Sequence, residues 1–282
     1  MQKNKNLLII TQAVDKDDSN LGFFCEWLEE FAKQVDSLYV IANRVGKYNL
    51  PKNVTVVSLG KENGAGRIIR LFNFWKYLYK FLPSVQGILA HMCPEYVIYG
   101  GFIARLFGKK IGLWYLHRSL TWKLKLSSLL VNNIFTAHKD GIPLKSDKVV
   151  VTGHGINLDV FYFNKKGENA DTLHLLTVGR ITESKNLLFL VKFATILQQK
   201  LGKSVKFIIV GEPYLEEDIG YLKKIRQYIQ EQKLEEMVEF VGKVAHKDLV
   251  EYYKKADIFL NASRTGGVDK AVLEAMASGV PV

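Results

Sequence analysis

Residues 172–211, TLHLLTVGRITESKNLLFLVKFATILQQKLGKSVKFIIVG, decide the fold class that the sequence predicts. Short apolar runs at residues 172–178 and 206–210 flank a longer segment, residues 187–201, whose apolar side chains recur at helical spacing. A helix between two strands is typical of a parallel βαβ unit, because parallel strands can be joined only by a long crossover connection. The stretch therefore predicts an α/β protein built on a parallel sheet.

The same alternation of strands and helices extends over the whole chain. In the first half, the predicted strands are NLLIIT, SLYVIAN, NVTVVSL, GILAHM, KKIGLWYLH, NNIFTAH and KVVVTG. In the second half, they are TLHLLTVG, KFIIVG, VEFVG and DIFLNAS. The polar stretch NKKGENAD, residues 164–171, is the predicted linker. We therefore predict two Rossmann-like parallel-sheet domains, residues 1–165 and 166–282, facing a cleft where ligands bind at the carboxyl ends of strands.

Composition and charge narrow the class of protein. No apolar run reaches the ~18 residues expected of a membrane span, and the N-terminus lacks the features of a signal peptide, so we expect a cytosolic protein. Cys25 and Cys93 are isolated, which argues against a disulfide framework or a structural zinc. We expect neither a metal nor a cofactor. The net charge of +11 favours an anionic partner: a nucleotide, a nucleic acid or an acidic membrane surface.

Two cationic side chains follow the predicted strand at residues 172–178. Gly179 permits close backbone approach, and Arg180 and Lys185 lie in the loop that opens the next helix. A diphosphate placed there would meet two cations and the free N–H groups of a helix N-terminus. The alternative is that both are solvated loop charges.

The last stretch, RTGGVDKAVLEAMASGVPV at residues 264–282, predicts a glycine turn, a helix and the entry to a strand. Glu274, on the helix, could accept hydrogen bonds from ribose hydroxyls, or it could be an ordinary exposed helix residue. A strand of a parallel sheet needs a following helix to cover it. We therefore expect that the sequence is a fragment of a protein that continues beyond Val282.

Several motifs together resemble one family. VGR-x4-K at residues 178–185 and LEAMASGVPV at residues 273–282 resemble the donor half of the retaining glycosyltransferases of family 4, which have the GT-B fold. VGE, VEFVGKV and KADIFLNAS in the second half are similar to other parts of that pattern, as are LGFFCEWLEEF, LWYLH and VVVTGHGIN in the first half. The resemblance covers nearly the whole chain.

The resemblance implies roles in the second half of the chain. Arg180 and Lys185 would hold the diphosphate of a nucleotide-sugar donor, and Glu274 would bind its ribose. Backbone around Val241 to Val244, which includes Gly242, would frame the base. The implied reaction transfers a sugar to a hydroxyl acceptor with retention of configuration and without a metal, in glycan or glycolipid biosynthesis.

In the first half, the resemblance implies that Gly22 lies in a loop near the phosphates and His117 beside the reacting sugar. The alternative for His117 is a structural hydrogen bond at a strand end. His91, His138 and His154 are structural or acceptor-side candidates.

The sequence departs from the family pattern at one carboxylate. The family has a first Glu eight residues before the second, and Gly266 holds that position here. We predict that Gly266 and Gly267 make room for the sugar and that Asp269 recognises its hydroxyls. The alternative is that Asp269 only starts the helix, near the positive end of its dipole.

The segment GRIIRLFNFWKYLYKFL, residues 66–82, has a two-sided helical pattern. Its apolar face comprises Ile68, Leu71, Phe72, Trp75, Leu78, Tyr79 and Leu82, and its polar face Arg70, Asn73, Lys76 and Lys80. The helix either packs on its own sheet or lies on an anionic membrane surface. The resembled family includes many enzymes with lipid-linked acceptors, which favours a peripheral location on the cytoplasmic membrane face.

Three functional hypotheses follow. The first is the glycosyltransferase, and the second is a nucleotide-sugar or anionic-polymer binding protein without turnover. The third, a nucleic-acid binder, is disfavoured because no recognised module accompanies the basic and aromatic residues. A requirement for Mn²⁺ or Mg²⁺ would indicate the other major transferase architecture, with Asp15 and Asp17 as candidate ligands.

Overall fold

The computed structural model describes residues 5–18, 21–117, 119–163, 171–264 and 269–282. The chain forms two compact units, Met1–His154 and Gly155–Val282. The predicted boundary, between residues 165 and 166, falls in a segment outside the described residues.

The described part of the N-terminal unit contains a seven-stranded parallel sheet with the order β3-β2-β1-β4-β5-β6-β7. The strands are β1 (Asn6–Val14), β2 (Ser37–Val45), β3 (Val54–Ser58), β4 (Gly87–His91), β5 (Lys110–Trp114), β6 (Asn133–Thr136) and β7 (Val149–Val151). The helices are α1 (Phe23–Gln34), α2 (Arg67–Phe81), α3 (Pro94–Leu106) and α4 (Trp122–Leu130).

Both faces of this sheet are buried, which explains why its strands are apolar almost throughout. Alternate residues of a strand point to opposite faces. On β1, Leu8 packs in the same core cluster as Phe74 of α2, while Ile9 packs in another cluster with Phe24 and Leu28 of α1. A strand covered by helices on both sides therefore needs apolar residues at successive positions.

The C-terminal unit repeats this plan on a smaller scale. Within the described residues, four parallel strands have the order β10-β9-β8-β11. The strands are β8 (Thr172–Val178), β9 (Ser204–Val210), β10 (Val238–Gly242) and β11 (Ile258–Phe259). The helices are α5 (Leu187–Leu201), α6 (Glu216–Glu231), α7 (Val250–Lys255) and α8 (Lys270–Ala277). The predicted α/β fold with two Rossmann-like parallel sheets is confirmed.

The exposure of α2 differs from the predicted two-sided pattern. Leu78 of the predicted apolar face is buried, and so are Phe74 and Phe81. Ile68, Phe72 and Tyr79 of that same face are instead 71%, 64% and 54% exposed. The helix packs on the sheet along a line adjacent to the predicted one, and this leaves an apolar stripe uncovered.

None of the helices among the described residues combines the length and apolar character that crossing a membrane requires.

Candidate functional site

Glycines at three neighbouring strand ends form the base of the candidate site. Two of them follow their strands: Gly179 comes after β8 with a φ of 149°, and Gly211 comes after β9 with a φ of 141°. The third, Gly242, is the last residue of β10 and has a φ of 80°. The Gly179 N–H donates to the Val210 carbonyl at 2.9 Å, and the Gly211 N–H donates to the Gly242 carbonyl at 2.8 Å. A Cβ atom at Gly211 would lie 1.9 Å from the Gly179 carbonyl oxygen, so the strand ends approach closely only because this residue is glycine.

Lys185 lies across the end of β8. A Cβ atom at Gly179 would lie 3.5 Å from Lys185 Cε and 3.8 Å from its Nζ. Lys185 Nζ also lies 2.7 Å from Asp269 Oδ2, and both side chains are about a quarter exposed. The cation is thus held by a carboxylate at the carboxyl end of β8, where parallel sheets bind ligands.

Backbone and side-chain contacts join the two loops that carry this ion pair. The Arg264 N–H donates to the Ser184 carbonyl at 2.8 Å, and Arg264 Nη2 donates to Asn186 Oδ1 at 3.3 Å. Asn186 has a φ of 54° and precedes α5, so the chain turns sharply after Lys185. The loop after β11 is therefore tied to the loop after β8.

Arg180 is exposed and has no ion-pair partner within the described ranges of the chain. Together with Lys185, it places two cations in the loop after β8. The two predicted cations therefore lie in the same loop of the structure.

Glu274 of α8 is buried, with 2% of its surface exposed. Its Oε1 lies 2.8 Å from His246 Nε2, and its Oε2 accepts a hydrogen bond from the Tyr253 hydroxyl at 3.1 Å. Lys270 Nζ lies 3.7 Å from Oε1. Burial raises the pKa of Tyr253 well above its usual value, and the nearby Glu274 carboxylate adds to this effect, so the phenol stays protonated and can donate.

This environment excludes the interpretation of Glu274 as an ordinary exposed helix residue. Its partners His246 and Tyr253 were not predicted from the sequence. The segment that follows β10 contains a histidine and tyrosines. Their positions in the sequence do not predict a contact with α8.

Val241 and Gly242 lie at the end of β10. Val241 packs against the core cluster that contains Phe161 and Phe259. Its side chain therefore belongs to the core, and only its backbone could frame a base, as the resemblance implies.

Asp269 is the residue before α8, as predicted, but its side chain makes no capping hydrogen bond to that helix. Its carboxylate is paired with Lys185 instead. The helix-start alternative rests on the charge of Asp269 near the positive end of the helix dipole, and the position before α8 meets that condition without a hydrogen bond. Gly266 and Gly267 lie outside the described residues.

In the N-terminal unit, Gly22 is buried at the start of α1. A Cβ atom there would lie 2.6 Å from the Asp18 carbonyl oxygen, so the turn into α1 requires glycine. His117 is exposed, and its Nδ1 accepts a hydrogen bond from the Ser119 N–H at 3.1 Å. The predicted strand extended to His117, but β5 ends at Trp114, so the histidine lies in the loop beyond the sheet.

His91, at the end of β4, is a core residue. Its ring stacks on Phe24 with centroids 4.0 Å apart, and its Nδ1 lies 3.3 Å from Thr11 Oγ1. Burial lowers the pKa of His91 to about 3, so the ring is neutral near pH 7. His138 precedes a short 3₁₀ helix, and the His154 ring lies 6.3 Å from that of Trp114.

Asp15 and Asp17 lie in the loop after β1. Asp15 Oδ1 accepts hydrogen bonds from the Asp17 and Lys47 N–H groups at 3.1 and 3.2 Å, and Arg44 lies 3.7 Å from Asp15 Oδ2. Over the described ranges, no group of three or more side chains could hold a metal ion.

Comparison with known proteins connects these features to one family. Residues 160–282 match the family profile described as "Glycosyl transferases group 1". The chain is 32% identical over 143 residues to the amylovoran biosynthesis glycosyltransferase AmsK of Erwinia amylovora, which is 49% of this chain and 33% of that protein. It is 34% identical over 109 residues to the alpha-monoglucosyldiacylglycerol synthase of Streptococcus pneumoniae, which is 38% of this chain and 23% of that protein.

The chain therefore spans only about a quarter to a third of the length of these two curated relatives. Solved structures with low sequence identity share its fold. Anabaena HepE, crystallised with UDP and glucose, matches with a TM-score of 0.72 at 15% identity and covers 98% of this chain and 79% of its own. TarM matches with a TM-score of 0.74 at 9% identity, covering 99% of this chain and 84% of its own.

The profile match covers β8, the cationic loop after it and the buried Glu274, so the site and the comparison concern the same segment. Residues 160–282 are thus similar to the family of glycosyl transferases group 1 over the part of the chain that carries this site.

Proposed function

We propose that the protein takes part in transferring a sugar from a nucleotide-sugar donor to a hydroxyl acceptor, with retention of configuration and without a metal. The observation that carries this proposal is Lys185, which lies over Gly179 at the end of β8 and shares its loop with the exposed Arg180. A departing nucleoside diphosphate accumulates negative charge, and fixed cations placed around it stabilise that charge. The similarity of residues 160–282 to the glycosyl transferases group 1 supports the same assignment.

The donor diphosphate would bind Lys185 and Arg180 in the loop after β8. Lys185 is already oriented by Asp269, which lowers the entropy cost of placing its ammonium group. On binding, phosphate oxygens would take over hydrogen bonds from Lys185 and leave the Asp269 carboxylate free for sugar hydroxyls.

Glu274 would bind the ribose of the donor. A carboxylate has about four lone-pair positions, and the contacts to His246 and Tyr253 leave capacity for a further hydroxyl donor. These two partners would hold the carboxylate in one orientation. His117 and Gly22 remain proposals as sugar-side and phosphate-side residues in the N-terminal unit.

The direct test is transfer from UDP-sugars to a panel of hydroxyl acceptors, with and without EDTA. We expect transfer that survives EDTA, since cationic side chains take the role of a divalent ion. UDP binding without any transfer would favour a nucleotide-sugar binding protein. Strict dependence on Mn²⁺ or Mg²⁺ would contradict metal independence.

Asp269→Asn separates sugar recognition from diphosphate binding. We expect kcat/KM to fall tenfold or more, equivalent to at least ~1.4 kcal/mol of transition-state binding. The UDP affinity should not fall, because Lys185 remains in place and the amide oxygen of Asn can still accept its hydrogen bond. Loss of a partly exposed ion pair should lower the stability by about 1 kcal/mol or less. A variant with the wild-type kcat/KM would remove Asp269 from sugar recognition.

We further propose that α2 contacts an anionic membrane surface, and that the acceptor is linked to a lipid. The exposed stripe of Ile68, Phe72 and Tyr79 lies on the same helix as the exposed Lys76 and Lys80. Apolar side chains beside basic ones are typical of interfacial helices. The similarity to a diacylglycerol glycolipid synthase supports this location.

Lys76→Glu combined with Lys80→Glu tests this surface. Each lysine near anionic lipid contributes ~1 kcal/mol, so reversing both charges should strongly reduce sedimentation with anionic liposomes. The melting temperature should stay nearly unchanged because both side chains are exposed. The matched control is Lys52→Glu with Lys61→Glu, two exposed lysines of the same unit outside α2. Equal sedimentation of the α2 variant and the wild type would indicate that α2 only packs on its sheet.

A further inference from the structure

The N-terminal unit contains a cavity that the donor site does not use. Its volume is about 410 Å³, and it is lined by the end of β2 and the first turns of α2, α3 and α4. Helices that follow the strands of a parallel sheet begin at the carboxyl edge of that sheet, which is where such sheets bind ligands. The cavity is large enough for a ligand the size of a sugar phosphate.

The charged side chains of the cavity are predominantly cationic. Arg67, Arg70 and Lys123 line it, and Glu95 is the one acidic lining residue. Within the described part of the chain, none of the three cations lies within ion-pair distance of a carboxylate. A concave site in which three cations face one carboxylate favours an anionic ligand.

A hydrogen-bond network holds part of this site in place. Arg70 Nη1 donates to Asn43 Oδ1 at 2.7 Å, and the Tyr96 hydroxyl donates to the same oxygen at 3.3 Å. Asn43 Nδ2 donates to Gln12 Oε1, and Gln12 Nε2 donates to Glu95 Oε1, both at 3.1 Å. Five side chains from β1, β2, α2 and α3 are thus connected, so the guanidinium is positioned before any ligand arrives.

One donor of the network is unsatisfied among the described residues. Arg70 Nε is buried and has no hydrogen-bond partner there. A buried charged donor without an acceptor is costly. Among the described residues, the cavity therefore combines three cations that lie outside ion-pair distance of a carboxylate with an arginine whose buried Nε has no acceptor.

The remaining lining groups suit a hydroxylated ligand. Glu95 can accept hydrogen bonds from hydroxyl groups, and the Tyr96 and Tyr99 rings line the same space. We propose that this cavity binds a phosphorylated sugar or polyol, with the phosphate on Arg67, Arg70 and Lys123 and the hydroxyls toward Glu95. That this ligand is the acceptor of the sugar rests on the proposed transferase function.

This phosphate could be free in solution or belong to a lipid headgroup. The exposed Ile68 lines the cavity and begins the apolar stripe of α2. Both sources present the same anionic group, so the test has one arm for each.

The first arm is calorimetry of the whole chain with glucose 6-phosphate, using glucose as the uncharged control. The second is sedimentation with phosphatidylcholine vesicles that contain phosphatidic acid or, at equal charge, phosphatidylserine. Both arms compare the wild type with two double variants. The cavity variant is Arg67→Gln/Lys123→Gln, and the control variant is Lys52→Gln/Lys61→Gln. Arg70 is left intact because its network with buried Asn43 supports folding.

A free ligand is indicated if glucose 6-phosphate binds at least tenfold tighter than glucose and the cavity variant alone loses that difference. A lipid headgroup is indicated if the protein prefers phosphatidic acid vesicles to phosphatidylserine vesicles but does not prefer glucose 6-phosphate to glucose. The cavity variant alone should then lose the preference for phosphatidic acid. The proposal is overturned if the wild type shows neither preference, or if the cavity variant keeps the preference that the wild type shows. UDP affinity, measured in parallel, reports on the donor site, so UDP binding without phosphate binding refutes this cavity assignment alone.

Discussion

Lys185→Ala is expected to weaken the binding of a nucleoside diphosphate by roughly 10- to 150-fold, which corresponds to the loss of one charge-assisted hydrogen bond of ~1.5–3 kcal/mol. The effect should be large because Lys185 lies over the glycine at the end of β8, in a partly buried position already fixed by Asp269. A cation held in place loses little conformational entropy when a phosphate replaces its carboxylate partner.

Calorimetry with UDP measures this effect directly. The matched control is Lys200→Ala, an exposed lysine in the last turn of α5, the helix that Lys185 precedes. The control should bind UDP as the wild type does. Arg180→Lys should also weaken binding, since a point charge cannot reproduce a two-pronged guanidinium contact. Unchanged UDP affinity in both the Lys185 and Arg180 variants would exclude this loop from the donor site.

Gly211→Ala is expected to lower the free energy of unfolding of the C-terminal unit by ~2–6 kcal/mol. One part, ~1–3 kcal/mol, comes from forcing an L residue into a φ of 141°. The other, of similar size, comes from overpacking, because the new Cβ would lie 1.9 Å from the Gly179 carbonyl oxygen. The ends of β8 and β9 would have to separate, and the cationic loop after β8 would move with them.

Urea unfolding of the whole chain measures the loss, and Gly220→Ala is the matched control. Gly220 lies inside α6, where a Cβ atom would meet nothing within 4 Å. Alanine is the better helix residue by ~0.5–1 kcal/mol, so this variant should be slightly more stable than the wild type. A Gly211→Ala variant as stable as the wild type would show that the strand ends tolerate a side chain, contrary to the packing argument.

Local patterns in the sequence predicted the strands, the helices and the loops between them. The alternation of apolar runs and helical segments is a local property, and it correctly predicted the strands of both sheets. Because crossover connections make the strands parallel, the loop with Arg180 and Lys185 had to lie at a carboxyl edge. Strand ends were less certain: β5 stops at Trp114, short of the predicted end at His117.

Which side chains meet depends on the packing of elements that are distant in the sequence. Lys185 pairs with Asp269 across 84 positions, and Glu274 contacts His246 across 28. Periodicity states which side of an element a residue occupies, but not which neighbour covers that side. The same limit explains the exposed stripe of α2 and the cavity cations: their environment depends on how α2, α3 and α4 pack together, which no local pattern encodes.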